Sequence, residues 1–436
     1  MARTDVPHRE INGMNLGLAV TAIAGAVLLL FGGTPAQAQY FQVIHNFSGM
    51  GEDGANPYQG LTIDRAGNLY GTTRMGGTGS CSEEGYAPGC GTVFKLKKTT
   101  SGWIYQPLHS FGGPSANDGA YPQYGAMIFG PDGALYGTTS QGGMPVDCQG
   151  AIPGCGAVFK VQPPPTRPAS AIAPWNETVL YRFPNLSVGH FPGGMLAFDP
   201  AGNLYGTTEN GGFSGQGIVY QLMPSPGEWT LNTLHNFFPQ NDGEVPIGGV
   251  TMDHAGNVWG TTWAGDLDND GTVFELTPSP SNNWTENIPH IFGSANGKPI
   301  STLIEDAAGN FYGATTEQFD TYPVIFELSP YNGSWIYTVL YTFNGYEDGG
   351  PGAPLMMDAA GNLYGTTLGD SVFELSPSNA GWVYTNLHTF SGGADGRDPQ
   401  SNVVMDSEGN LYGTALYGGS SGYCPGGCGV VWEITP

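Results

Sequence analysis

Ten residues, Asp64 to Thr73 (Asp-Arg-Ala-Gly-Asn-Leu-Tyr-Gly-Thr-Thr), return with small changes six more times, from Gly130, Asp199, Asp253, Asp306, Asp358 and Asp406. Neighbouring copies stand 48 to 69 residues apart. Each is followed by a run like Gly-x-Val-Phe-x-Leu, usually by a Trp, and then by Leu-His-x-Phe or Leu-Tyr-x-Phe. A unit of this length met seven times outweighs the length prior, which for 436 residues suggests two or three domains. Repeats that bury their faces only against neighbours form one body.

Each repeat reads as four strands. In the sixth, Pro354–Asp358 opens the first strand, Asn362–Thr367 is the second and Ser371–Leu375 the third. The outer strand before it, Trp335–Phe343, alternates cleanly, with Trp335, Tyr337, Val339, Tyr341 and Phe343 on one face. Asp-x-x-Gly-Asn joins the first two strands as a tight hairpin whose Gly takes the positive φ that a Cβ resists. Four antiparallel strands per repeat make a propeller blade, so the expected fold is an all-β, seven-bladed β-propeller. Tyr40–Phe47 looks like the end of a repeat without its beginning, and Val430–Pro436 stops one strand short. The N-terminal strand is therefore expected to pair with the C-terminal blade and close the ring.

Gly (71) and Pro (34) approach the abundance that signals disorder, but they fall at fixed offsets within the repeats and read as turns. Acidic residues outnumber basic ones 37 to 12, and a net charge of −25 argues against nucleic acid or an anionic membrane as partner. Residues 1–38 form a separate object: Arg3 and Arg9 lead, Leu16–Phe31 is apolar, and Ala36-Gln37-Ala38 offers a cleavage site. This is the pattern of a secretory signal peptide, its apolar run of about sixteen residues falling short of the ~20 of a membrane span. The expected organisation is a signal peptide over 1–38 and a single propeller over 39–436, exported to the periplasm or beyond, without a membrane span after cleavage, and monomeric.

The repeated motif resembles the GloVer tandem repeat of bacterial "choice-of-anchor" exported proteins, over nearly all of the mature chain. The resemblance implies export and attachment by assorted C-terminal anchors, and it implies no activity. Ending at Pro436, this chain departs from that pattern, so free release or a periplasmic location is the expectation.

Six cysteines fall as Cys81/Cys90, Cys148/Cys155 and Cys424/Cys428, each pair in one loop between second and third strands. In an exported protein the three local disulfides are expected over a metal site or any other of the 15 pairings. His45, His109, His235, His290 and His388 share one repeat position, with Tyr181 and Tyr341 in the other two. Copies this far apart around a rim cannot share a metal, so they are read as packing beside the Phe that follows.

Asp-Gly-x-x-Pro recurs ahead of the first strand, from Asp53, Asp118, Asp242 and Asp395, with Asp348 in a looser copy. Turn chemistry accounts for the pattern. A second reading has these carboxylates ring the channel mouth and hold Ca²⁺ in an oxygen-only site. Asp266, Asp268 and Asp270 copy the first half of a calcium loop, but Thr277 stands where the bidentate Glu belongs, leaving an acidic hairpin loop as the alternative. His190 and Lys298 break the repeat in two lead-in loops and are candidates to touch a ligand. Tyr86 and Tyr423, on disulfide-bearing loops of consecutive blades, are candidates to contact a sugar or peptide.

No catalytic motif stands out. The leading expectation is a non-catalytic secreted propeller that binds a glycan, peptide or partner protein on its loop-rich face. The alternative is a propeller hydrolase, lyase or lactonase with a metal ion on the channel axis, which needs three or four carboxylate, Asn or His side chains converging there.

Overall fold

Every copy of the repeated motif is a turn that closes on its own aspartate. Asp64 Oδ1 accepts the backbone N–H groups of Ala66 (2.9 Å) and Asn68 (2.9 Å), while Oδ2 accepts Asn68 Nδ2 (2.8 Å) and the Tyr70 hydroxyl (3.0 Å). Gly67 turns the chain at φ 76°. Asp306 and Asp358 repeat this set of four, and at Asp253 the indole Nε1–H of Trp259 replaces the tyrosine hydroxyl at 3.0 Å. The second copy begins on Gly130, and there Asp132, two residues on, accepts the Tyr136 hydroxyl at 3.0 Å.

The structure is a computed structural model describing residues 39–148, 153–164, 175–238, 242–265, 270–280, 283–293, 295–316, 321–345 and 349–436. The segment read as a signal peptide lies outside these residues. Phe41–Thr435 is one unit holding seven four-stranded antiparallel sheets, the blades of a β-propeller. The sixth blade runs Met356–Met357, Leu363–Thr367, Ser371–Ser378 and Gly381–Thr389, from the axis outward. In the seventh, Tyr40–Asn46 lies beside Val430–Thr435 as the outer strand. The Phe47 N–H reaches Gly429 O (3.0 Å) and Gln42 Nε2 reaches Glu433 Oε2 (2.5 Å), so the two strands run antiparallel. Ring closure follows the expected scheme.

The Gly of Leu-Tyr-Gly-Thr-Thr makes room for a ring. Gly71 pairs across the sheet with Phe94, Gly206 with Tyr220, Gly365 with Phe373 and Gly413 with Trp432. That ring in turn meets the Phe that ends the previous blade, as in Phe47–Phe94 (5.2 Å), Phe111–Phe159 (5.0 Å), Phe237–Phe274 (5.2 Å) and Phe343–Phe373 (5.6 Å). The outer-strand Trp packs against the motif Tyr of the preceding blade, Trp103 on Tyr412 at 5.5 Å and Trp284 on Tyr205 at 6.1 Å. The core therefore lies between blades, and the motif residues are its joints. Gly365→Ala would bring a Cβ to 2.7 Å from the Phe373 ring. Overpacking of this kind is expected to cost about 1–3 kcal/mol, read as a lower urea midpoint. An unchanged midpoint would show that the ring can swing aside.

Candidate functional site

In a four-stranded antiparallel blade the second-to-third connection and the connection to the next blade emerge at the same end. The disulfide loops and the Asp-Gly-x-x-Pro segments therefore share one face of the propeller. Cys81–Cys90, Cys148–Cys155 and Cys424–Cys428 are bonded, as expected.

The Asp-Gly-x-x-Pro carboxylates do not ring the axis. Asp53 accepts the Ser48 N–H (2.8 Å) and hydroxyl (2.7 Å) and lies 3.2 Å from His45 Nε2. Asp118 accepts the Gly112 N–H (2.7 Å) beside His109 (3.2 Å), and Asp242 accepts the Phe238 N–H (2.7 Å) beside His235 (3.0 Å). Asp395 accepts the Ser391 N–H (2.8 Å), with His388 at 3.6 Å. The chain reverses as it leaves the outer strand, so the nearest donors are the turn's own N–H groups and the imidazole just passed. The histidines do pack edge-on against the following Phe, His45 on Phe47 at 4.7 Å and His388 on Phe390 at 4.9 Å. At two junctions a glutamate of the next blade faces the histidine. Burial and the Asp118 charge push Glu177 up to about 7; burial and the Asp242 charge push Glu286 up to about 8.

The residue before the proline adopts left-handed backbone in Asn56, Tyr121, Phe191, Val245 and Asp398, with φ between 53° and 60°. Only Asn takes that conformation readily, and for Val245 the cost is on the order of 1–3 kcal/mol. Hydrogen bonds on both backbone groups hold it. The Asn56, Tyr121 and Val245 N–H groups reach Cys428 O (2.8 Å), Cys90 O (2.9 Å) and Gln216 O (2.9 Å) in the preceding blade. Their carbonyls accept from Arg74 (3.0 Å), Ser140 (3.1 Å) and Trp263 (3.0 Å) in their own blade. Each stitch swings the residues after the proline toward the axis.

Those residues line an axial cavity of about 210 Å³ to which all seven blades contribute. Blades 7, 1 and 2 present Gln400, Asn402, Tyr58, Gln59 and Tyr124, whereas the far side offers Gly194, Ile247, Ile300, Ala353 and Leu368. Asn402 and Gln59 hold the inner strands together, Asn402 Nδ2 donating to Leu61 O (3.1 Å) and Thr72 donating to Gln59 Oε1 (2.9 Å). Neither carboxylate nor imidazole is among the lining side chains, so the ligand set that an axial metal requires is not gathered at the cavity.

Above the polar arc stands a cluster centred on Arg74. Its Nε donates to Gln123 (2.9 Å) and its terminal nitrogen to Glu83 (2.6 Å), and the guanidinium covers the rings of Tyr86 (4.7 Å) and Tyr121 (5.2 Å). Burial opposes this charge, but the Glu83 hydrogen bond and carboxylate raise the Arg74 pKa above its ordinary value. The Tyr86 and Tyr417 hydroxyls meet at 3.4 Å, Arg397 covers Tyr417 at 5.1 Å, and Tyr58 meets Tyr124 edge-on at 5.5 Å. Burial raises the pKa of Tyr58 and Tyr124 and pushes Tyr121 up to about 12, so all three keep their protons at neutral pH.

The sequence candidates are thus divided. Tyr86 belongs to the cluster. Tyr423 is exposed, lying over Gly49 beside the Cys424–Cys428 bridge. His190 is buried with its Nδ1 unpartnered, and burial lowers its pKa. Lys298 is buried with its Nζ 4.2 Å from the Trp263 ring centre. Asp270 is buried, while Asp266, Asp268 and Asp348 lie outside the described residues. Tyr58, Tyr124 and Tyr417 escaped the sequence reading. For Tyr58 and Tyr124 a signal existed, because the residues after the proline differ between copies whose Asp-Gly and Pro persist.

Residues 148–371 match the Gloeobacter/Verrucomicrobia repeat. No curated protein matches the chain. Among solved structures, a provisionally named oxidoreductase (glucose dehydrogenase) of Thermus thermophilus aligns with a TM-score of 0.43 and 15% identity, over 71% of this chain and 95% of its own. A Dyadobacter fermentans protein of unknown function aligns with a TM-score of 0.43 and 10% identity, over 91% of this chain and 98% of its own.

Proposed function

The chain belongs to the Gloeobacter/Verrucomicrobia repeat family, and from that premise we propose an exported, non-catalytic propeller that binds a neutral glycan at the aromatic mouth of its axial cavity. One observation carries the reading: tyrosines 58, 86, 121, 124 and 417 gather with Arg74 on consecutive blades at one side of the cavity. Aromatic faces take the C–H face of a pyranose, while amide, guanidinium and carboxylate groups take its hydroxyls. The apolar far wall of Ile247, Ile300 and Leu368 suits the opposite sugar face. A net charge of −25 disfavours anionic glycans.

Three disulfides support export. Among the described residues no helix is long and apolar enough to cross a membrane. The bridges also limit the freedom of the loops carrying Tyr86 and Tyr417, which lowers the ordering cost of binding.

A panel of neutral oligosaccharides, followed by titration calorimetry on the best binder, tests the proposal. Tyr58→Ala with Tyr124→Ala is expected to weaken binding by about tenfold or more, the loss of one buried aromatic contact, at an unchanged melting temperature. Tyr423→Ala is expected to change nothing. Undiminished affinity in the double variant, or no binder in the panel, would overturn the reading.

A further inference from the structure

The blade junctions follow one plan, and two of them depart from it in the same way. At each, the His or Tyr that closes one outer strand faces a residue near the start of the next blade's outer strand. At four junctions that residue is an aromatic lying flat on the ring: Tyr105 on His45 (4.4 Å), Tyr337 on His290 (3.7 Å), Tyr384 on Tyr341 (4.8 Å) and Phe41 on His388 (3.7 Å). Glu177 faces His109, and Glu286 faces His235. Both glutamates stand where the histidine already has an aspartate beside it.

One imidazole nitrogen and two carboxylate oxygens lie within 4.8 Å of one another in each trio. His235 Nε2 is 3.0 Å from Asp242 Oδ2 and 3.4 Å from Glu286 Oε1, and His109 Nε2 is 3.2 Å from Asp118 Oδ2. Neighbouring ligands of a tetrahedral ion bound at about 2.0–2.1 Å stand roughly 3.3–3.4 Å apart. Hydrogen bonding alone leaves the trios incomplete. The single proton of a neutral imidazole cannot serve both carboxylates, and Glu177 Oε1 and Glu286 Oε1 are buried and accept no hydrogen bond. A buried carboxylate oxygen without a donor, next to a second carboxylate, is costly, and a cation relieves both defects.

We infer that His109, Asp118 and Glu177, and likewise His235, Asp242 and Glu286, are two three-ligand sites for a divalent ion of the zinc class, each clamping adjacent blades together. The His and Asp come from one blade and the segment leaving it, the Glu from the next. One nitrogen and two carboxylates suit zinc better than Ca²⁺, which takes six to eight oxygens. The second trio's side chains keep 12–18% of their surface exposed, which gives an ion access and leaves room for a water as fourth ligand.

The test uses untagged protein stripped with chelator, then dialysed against Zn²⁺ alone. Two tightly held ions per chain are expected, with a rise in melting temperature that Ca²⁺ does not reproduce. Glu286→Gln should hold one ion, and Glu177→Gln with Glu286→Gln none, without the zinc-induced rise. His45→Gln, at a junction closed by Tyr105, should still hold two. Should the Gln variants fold poorly, Glu177→Tyr with Glu286→Tyr, which installs the aromatic of the other junctions, should also hold none. A stripped parent that retains no zinc, or a zinc count unmoved by the glutamate variants, would overturn the inference.

Discussion

A chain lacking residues 39–48 is expected to lose its folded monomer and aggregate. The last blade would then end on Val430–Thr435 with an open edge, the kind of surface that recruits other chains. Phe47 is fully buried against Phe94 at 5.2 Å, and Phe41 and Val43 pack on the cluster that contains Trp432. Removing one buried Phe ring costs about 3–5 kcal/mol, and the deletion also strips a row of sheet hydrogen bonds. Together these losses rival the ~5–15 kcal/mol by which a typical protein is stable. Size-exclusion chromatography and thermal melting report the outcome, and Phe47→Ala gives the graded version, a loss of about 3–5 kcal/mol in an intact ring. A monodisperse deletion variant with the parent's melting temperature would mean that the ring closes by another route.

Acid should unfold the protein abruptly below about pH 4. Burial works against the charge of Asp64, Asp306, Asp358 and Asp406, but their hydrogen bonds outweigh it and lower each pKa from 3.8. Asp406 is held lowest, at about 2, by Asn410, Lys98 and Tyr412. A folded pKa below the unfolded one means stability that is present above about pH 4 and lost as pH falls through the folded value. Allowing for solvent screening, Asp406 contributes on the order of 1 kcal/mol, and the other turns add smaller amounts of the same sign. Between about pH 6 and 4 the opposite trend acts, because protonation relieves the self-repulsion of a chain carrying −25. The urea midpoint is therefore expected to hold or rise down to pH 4 and to fall steeply toward pH 2. Asp406→Asn should lower it at neutral pH and soften the acid limb. A level profile from pH 4 to 2, or an unaltered limb in the variant, would contradict this assignment.

The blade count was legible because each motif residue does one local job. Asp closes the turn, Gly admits the ring opposite and Tyr receives the next blade's Trp, so seven copies mean seven joints. Closure was legible because the two chain ends lack complementary pieces of one repeat. The disulfides were legible because each pair lies within one loop, 4 to 9 residues apart. What stayed hidden depends on where a turn aims a side chain. The aspartate of Asp-Gly-x-x-Pro looked free to face the channel, and only the folded reversal shows that the imidazole of the strand just completed is nearer. The left-handed residue before the proline carries no fixed identity, being Asn, Tyr, Phe, Val or Asp in its five copies. Tyr86 and Tyr417 meet across 331 residues of sequence, and Glu177 and Glu286 gain meaning only beside a histidine of the neighbouring blade.

Closure of the ring by its first strand also sets a clock. Gln42 and its partner Glu433 are 391 positions apart, and at roughly 5–20 residues per second the ribosome needs about 20–80 s to span them. Through that interval the earliest strand of the propeller has nowhere to bind, while six blades assemble behind it as an arc with two unfinished ends. The last event of synthesis is therefore also the last event of folding. Whatever keeps Tyr40–Asn46 from finding a wrong edge in the meantime decides the yield of the protein more than the strength of any finished contact.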